Sequence, residues 1–129
     1  MPNSVEILAK EAVNNCQKLD TIVLSDKLKV IESNCFYGNL SLKEITIPEG
    51  MHTVGDYAFT GCINLWNVIL PSSLKDIQTE AFRGTDIKKI TIPDSVTHIG
   101  KKAFYKCNKL ASVIFTVNSQ LVQIESSAF

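Results

Sequence analysis

The chain has 129 residues, with thirteen basic and thirteen acidic side chains. That length suits one domain, and the balanced charge gives no whole-chain attraction to nucleic acid or to an anionic membrane. No apolar run is long enough to span a bilayer, and Met1-Pro2-Asn3-Ser4-Val5-Glu6 has neither the basic nor the apolar region of a signal peptide. The expectation is an intracellular protein, or one read without its leader and flanking parts. The charge is uneven along the chain: residues 1–70 carry 5 basic and 8 acidic side chains, and residues 71–129 carry 8 and 5.

In chain order the sequence divides into similar units starting near residues 2, 25, 48, 71, 93 and 118. The first holds Val5, Leu8, Ala12-Val13, Leu19 and the pair Ile22/Leu24. The second repeats this as Leu28, Ile31, Cys35-Phe36, Leu42 and Ile45/Ile47. The third gives Met51, Val54, Ala58-Phe59, Leu65 and Val68/Leu70. The fourth gives Leu74, Ile77, Ala81-Phe82, Ile87 and Ile90/Ile92; it is one residue short, because Thr85-Asp86-Ile87 replaces Cys62-Ile63-Asn64-Leu65. The fifth gives Val96, Ile99, Ala103-Phe104, Leu110 and Val113/Phe115, followed by two extra residues near Thr116–Ser119. A partial sixth ends the chain with Leu121, Ile124 and Ala128-Phe129.

Such a fixed period is the signature of a solenoid, in which no unit can bury its apolar columns alone. The alternating, β-branched pair in each unit predicts a short strand, ended by the prolines of Ile47-Pro48, Leu70-Pro71 and Ile92-Pro93. The Ala-Phe-x-x-Cys-x-x-Leu stretch has a spacing of three, which predicts a helical or 3₁₀ turn on the opposite side. The expected fold is therefore an α/β repeat: a single right-handed, curved solenoid over residues 1–129. It has five repeats of about 23 residues plus a partial sixth, a parallel β-sheet on the concave face, and short helical or 3₁₀ turns on the convex side.

Leu42-x-x-Ile45-x-Ile47-Pro48 and Val96-x-x-Ile99-Gly100-x-x-Ala103-Phe104-x-x-Cys107-x-x-Leu110, with their copies, resemble the BspA-like leucine-rich repeats, also called the Treponema pallidum type. The resemblance covers nearly the whole chain. It departs from the general leucine-rich pattern in lacking the asparagine that usually ladders the turn. It implies a cell-surface or secreted protein with a binding role, several members of the family being adhesins. It names no ligand.

No constellation for catalysis, cofactor or metal emerges. Cys16, Cys62 and Cys107 share a column, with Cys35 in the alanine column. Units two apart stand about 9–10 Å from one another, beyond a disulfide's Cα reach of about 7 Å. A Cys16–Cys35 pair stays open on this reasoning, and buried reduced thiols are the expectation. No Cys-x-x-Cys spacing points to zinc. His52 and His98 fall in the turns after Ile-Pro, so Ser95, His98 and Asp94 read as solvated turn residues and not as a nucleophile with its base. Gly55 and Gly100 read as relaxing the backbone, and Asn39-Leu40-Ser41 as a glycosylation motif half-buried in the cysteine column.

The strand residues that point away from the core carry more information. They form the rows Thr21, Glu44, Asn67, Lys89, Ser112 and Val23, Thr46, Ile69, Thr91, Ile114, preceded by Asp20, Lys43, Trp66, Lys88, Ala111. The only tryptophan stands where no repeat rule asks for an apolar residue, and tryptophan is enriched among residues that carry binding energy. The expected function is a protein-binding module in cell adhesion or recognition. Its partner site would comprise Trp66, Ile69, Lys88, Lys89, Thr46 and Thr91, without cofactor, nucleic acid or membrane insertion. The alternative is a self-assembling scaffold, a homo-oligomer formed through the uncapped C-terminal end.

Overall fold

The computed structural model describes residues 1–129. Its strands are β1 (Ile7–Leu8), β2 (Val30–Ile31), β3 (Glu44–Thr46), β4 (Thr53–Val54), β5 (Asn67–Ile69), β6 (Asp76–Ile77), β7 (Lys89–Ile92), β8 (His98–Ile99), β9 (Ser112–Phe115) and β10 (Gln123–Ile124). All pairings are parallel. One six-stranded sheet runs β1-β2-β4-β6-β8-β10, and two two-stranded sheets, β3-β5 and β7-β9, lie elsewhere on the coil. Units from the second to the fifth thus carry two strands each, not one. The expected Ile22/Leu24 strand of the first unit does not form.

The chain is a parallel β-solenoid, and the expected helical or 3₁₀ convex side is absent. The reason lies in where the backbone donors go. Alternate amides of the Ala-Phe stretch reach the next coil: Phe36 N donates to Ala58 O at 2.8 Å, Phe59 N to Ala81 O at 2.7 Å, and Phe82 N to Ala103 O at 2.8 Å. The intervening amides close β-turns within the coil, as Ala58 N does to Gly55 O and Thr60 N to Tyr57 O. A helix needs those same donors within its own turn. It also needs negative φ throughout. Here Asn34, Tyr57, Glu80 and Lys102 have φ of 54 to 57°, and Gly38, Gly61 and Gly84 have 68 to 74°. A spacing of three fits such consecutive turns as well as it fits a 3₁₀ helix. No helix is long and apolar enough to cross a membrane.

The columns meet inside the coil. Leu28, Met51, Leu74 and Val96 form one buried row, and Ile31, Val54, Ile77 and Ile99 another. Phe36, Phe59, Phe82, Phe104 and Phe129 stack with centroids 5.0 to 5.3 Å apart and planes within 10° of parallel. Centroids that far apart in near-parallel rings mean an offset stack, the favourable arrangement. Burying each of the first four rings contributes about 1.5–3 kcal/mol. The corners are β-turns closed on the proline column, as in Met51 N to Pro48 O and Leu74 N to Pro71 O. Gly55 and Gly100 serve close approach and not positive φ: a Cβ at Gly55 would stand 2.8 Å from Ile31 O, and one at Gly100 2.8 Å from Gln78 C.

Candidate functional site

β3 and β5 present Glu44, Thr46, Asn67 and Ile69 outward, and β7 presents Lys89 and Thr91, while Ile45, Val68 and Ile90 point into the core. Between β5 and β7 the ladder stops. Asn67 N donates to Lys43 O at 3.4 Å and Ile47 N to Ile69 O at 2.9 Å, but no equivalent bond joins Lys89 N to Trp66 or Leu70 N to Thr91. The break coincides with the shortened unit, in which the residue missing near Thr85-Asp86-Ile87 falls just before β7.

A cleft of about 730 Å³ lies over the break, lined by Trp66, Asn67, Ile69, Lys88, Lys89 and Thr91 among others. Five of the six residues expected to meet a partner are thus gathered there. Thr46 is not among them; it lines a neighbouring hollow of about 340 Å³ that shares Asn67 and Ile69. The Trp66 indole is 44% exposed and Ile69 is 53% exposed. The carboxylates nearby are already engaged. Asn67 Nδ2 donates to Glu44 at 3.0 Å, Ser72 N and Oγ donate to Glu49 at 3.1 and 3.0 Å, and Thr116 Oγ1 donates to Asp94. Lys43, Lys88 and Lys89 form no ion pair. The cleft therefore offers an aromatic face beside two lysines that make no direct ion pair, with the carboxylates of Glu49 and Asp94 held on neutral donors at its wall.

The catalytic letters do not assemble. Ser95 Oγ donates to Leu74 O at 2.6 Å, and Asp94 accepts from Thr116. His98 sits in β8 and not in a solvated turn; its Nε2 lies 2.8 Å from Glu125 and its Nδ1 3.9 Å from Asp76. His52 is exposed. All four cysteines are free, but Cys16 is exposed, against the expectation of four buried thiols. Cys62 Sγ donates to Phe36 O at 3.0 Å, and Cys107 Sγ to Phe82 O at 3.1 Å. Asn39 and Thr85 occupy the same column and reach those same two carbonyls at 2.9 Å. A ladder of short donors therefore does bridge the turns, with cysteine, threonine and one asparagine in place of the usual asparagine row. The signal was present in the column, since all three side chains can donate. Asn39 is fully buried and its amide also donates to Val13 O, so the glycosylation motif is inaccessible.

Residues 1–111 match the BspA type leucine rich repeat region, in six copies. The chain belongs to the BspA-type leucine-rich-repeat family. None of the curated proteins matches it. This BspA-type solenoid is similar to a leucine rich cell surface protein of Faecalibacterium prausnitzii, with 36% identity over 89% of the chain and a TM-score of 0.84. It is also similar to a leucine-rich repeat protein of Bacteroides ovatus, with 30% identity over 92% of the chain and a TM-score of 0.69. A leucine rich repeat protein of Treponema pallidum shares 28% identity over 67% of the chain and 51% of its own length, with a TM-score of 0.53. The BspA-type chain spans 30% of the first and 37% of the second.

Proposed function

We propose that this chain is a protein-binding module of a cell-surface protein, and that the cleft between β5 and β7 is its contact site. The observation that carries the reading is the cleft itself: Trp66 and Ile69 exposed over a ladder break, beside the unpaired Lys88 and Lys89. Hot spots of protein interfaces are commonly an aromatic anchor in a desolvated pocket with charge at its rim. The description of the Faecalibacterium relative as a cell surface protein supports the location. Binding of the labelled chain to intact cells, before and after protease treatment of those cells, tests the reading. Protease should abolish binding, and Trp66→Ala should weaken it by about 1–2 kcal/mol. Binding that survives protease, or that ignores both Trp66→Ala and a double Lys88→Gln/Lys89→Gln change, would place the site and partner class elsewhere.

A further inference from the structure

Arg83, Lys102 and Lys106 gather around Tyr105 on the ridge of turns. The guanidinium carbon and the two ammonium nitrogens stand 5.9, 5.3 and 5.6 Å from the ring centroid. A ring face attracts a cation, but three cations around one ring also repel one another. Only Arg83 has a carboxylate partner, Glu80 at 2.8 Å; Lys102 and Lys106 form no ion pair. Lys106 is exposed and the Tyr105 side chain is half-buried. The cluster lies on the turns of the fourth and fifth units, away from β5 and the cleft.

The backbone at Lys106 is unusual for a lysine. Lys106 has φ of 60°. Three other coils place Gly38, Gly61 and Gly84 at that column, with φ of 68, 74 and 68°, and the first coil places Asn15 there. Glycine takes that conformation freely, and asparagine tolerates it better than most side chains. A lysine there strains the turn, and its exposed chain adds nothing to the core. What it contributes is a charge at Tyr105.

We infer that the ridge at Arg83, Lys102, Tyr105 and Lys106 binds a sulfated polysaccharide. A lysine ammonium is a point charge on a flexible stem, and reads charge density and not a fixed shape. Sulfate esters spaced along a flexible sugar chain supply that density without demanding a fixed shape. The main-chain donors of the ridge are committed between coils, as in Phe82 N to Ala103 O and Gly84 N to Tyr105 O, which rules out a peptide held by strand addition and leaves an acidic peptide as the comparator for the test. Proteins that hold single-stranded nucleic acid track it through a basic groove, whereas here the cations ring one tyrosine on a ridge.

Calorimetry of the intact chain with a heparin octasaccharide tests this, with its desulfated counterpart, a glutamate octapeptide and a single-stranded oligonucleotide as comparators. The sulfated sugar should bind at low salt and weaken as salt rises, and the desulfated one should not bind. Lys106→Asn and Lys106→Gly should keep the fold, since other coils use those residues, and each should weaken binding about two- to fivefold, as for one exposed ion pair. Adding Lys102→Gln to Lys106→Asn should weaken it about tenfold or more. Lys18→Gln/Lys27→Gln, at exposed positions of the first two units, should leave the affinity unchanged. Unchanged affinity in the Lys102/Lys106 variant overturns the proposal. So does equal binding of the glutamate peptide or the oligonucleotide, and so does failure of the octasaccharide to bind at low salt.

Discussion

Burial pushes the thiol of Cys35 up to about 11 and that of Cys62 up to about 12, and raises that of Cys107, because the thiolate would lose its solvation. Labelling of the folded protein should therefore modify Cys16 at once and the other three only after unfolding; a second fast thiol would show that the turn ridge opens. The same shifts tie stability to pH. An unfolded thiol ionises near pH 9, while the folded Cys62 keeps its proton to about 12. In that window the unfolded chain binds fewer protons, so stability falls as pH rises. Denaturation midpoints should drop through this range, and Cys62→Thr should make the drop shallower. Thr85 already demonstrates that threonine fits this column and caps its turn carbonyl. Single residues were the least legible level of the sequence. His98 read as a turn residue because it follows Ile-Pro by a few positions, yet it lies on a strand beside Glu125, 27 residues away. Only the folded register could bring those two together.

The columns were legible because each recurs with the same chemistry, and the buried rows follow them closely. Phe82→Ala, which empties the middle of the ring stack, should destabilise by about 3–5 kcal/mol in denaturant titration. Phe129→Ala should cost clearly less, because that ring is half in solvent. Equal costs would mean that the stack is not what holds these coils. The helical expectation failed on an ambiguity of spacing, although the deciding signal was visible: Gly38, Gly61 and Gly84 recur where only a left-handed residue closes the turn. The cleft was half legible. Alternation placed Trp66, Ile69, Lys89 and Thr91 outward, and the shortened unit was plain, but the loss of pairing beside it was not. Hydrogen exchange checks that loss. The amides of Lys89 and Leu70 should exchange fast, and that of Ile47, which donates to Ile69 O, slowly. Lengthening Thr85-Asp86-Ile87 to the four-residue form of the preceding unit should protect Lys89 and shrink the cleft; continued fast exchange would show that the missing residue is not the cause.

Each coil touches only its neighbours, so stability is a sum of coil and interface terms, and it differs along the stack. The first coil is the poorest. It has Val13 in place of phenylalanine, and of its apolar side chains only Leu8 and Leu24 are buried. Amide protection should therefore rise from residues 1–24 towards the coils of β4, β6 and β8; uniform protection would mean that the solenoid opens as one cooperative block.

The broken ladder also governs how the solenoid can bend. Between the coils of β5 and β7 two sides stay laced, by the β4–β6 pairing and by the turn bonds from Tyr57, Phe59 and Gly61 to the next coil. The third side has no lacing there. Bending that opens or closes the third side turns about the other two and breaks no hydrogen bond, whereas at β3–β5 the same motion would break several. The solenoid is thus laced on three sides at β3–β5 and on two at β5–β7, so this level is where it yields first, about a single axis, and Trp66 and Lys89 stand on the two walls that such bending would move.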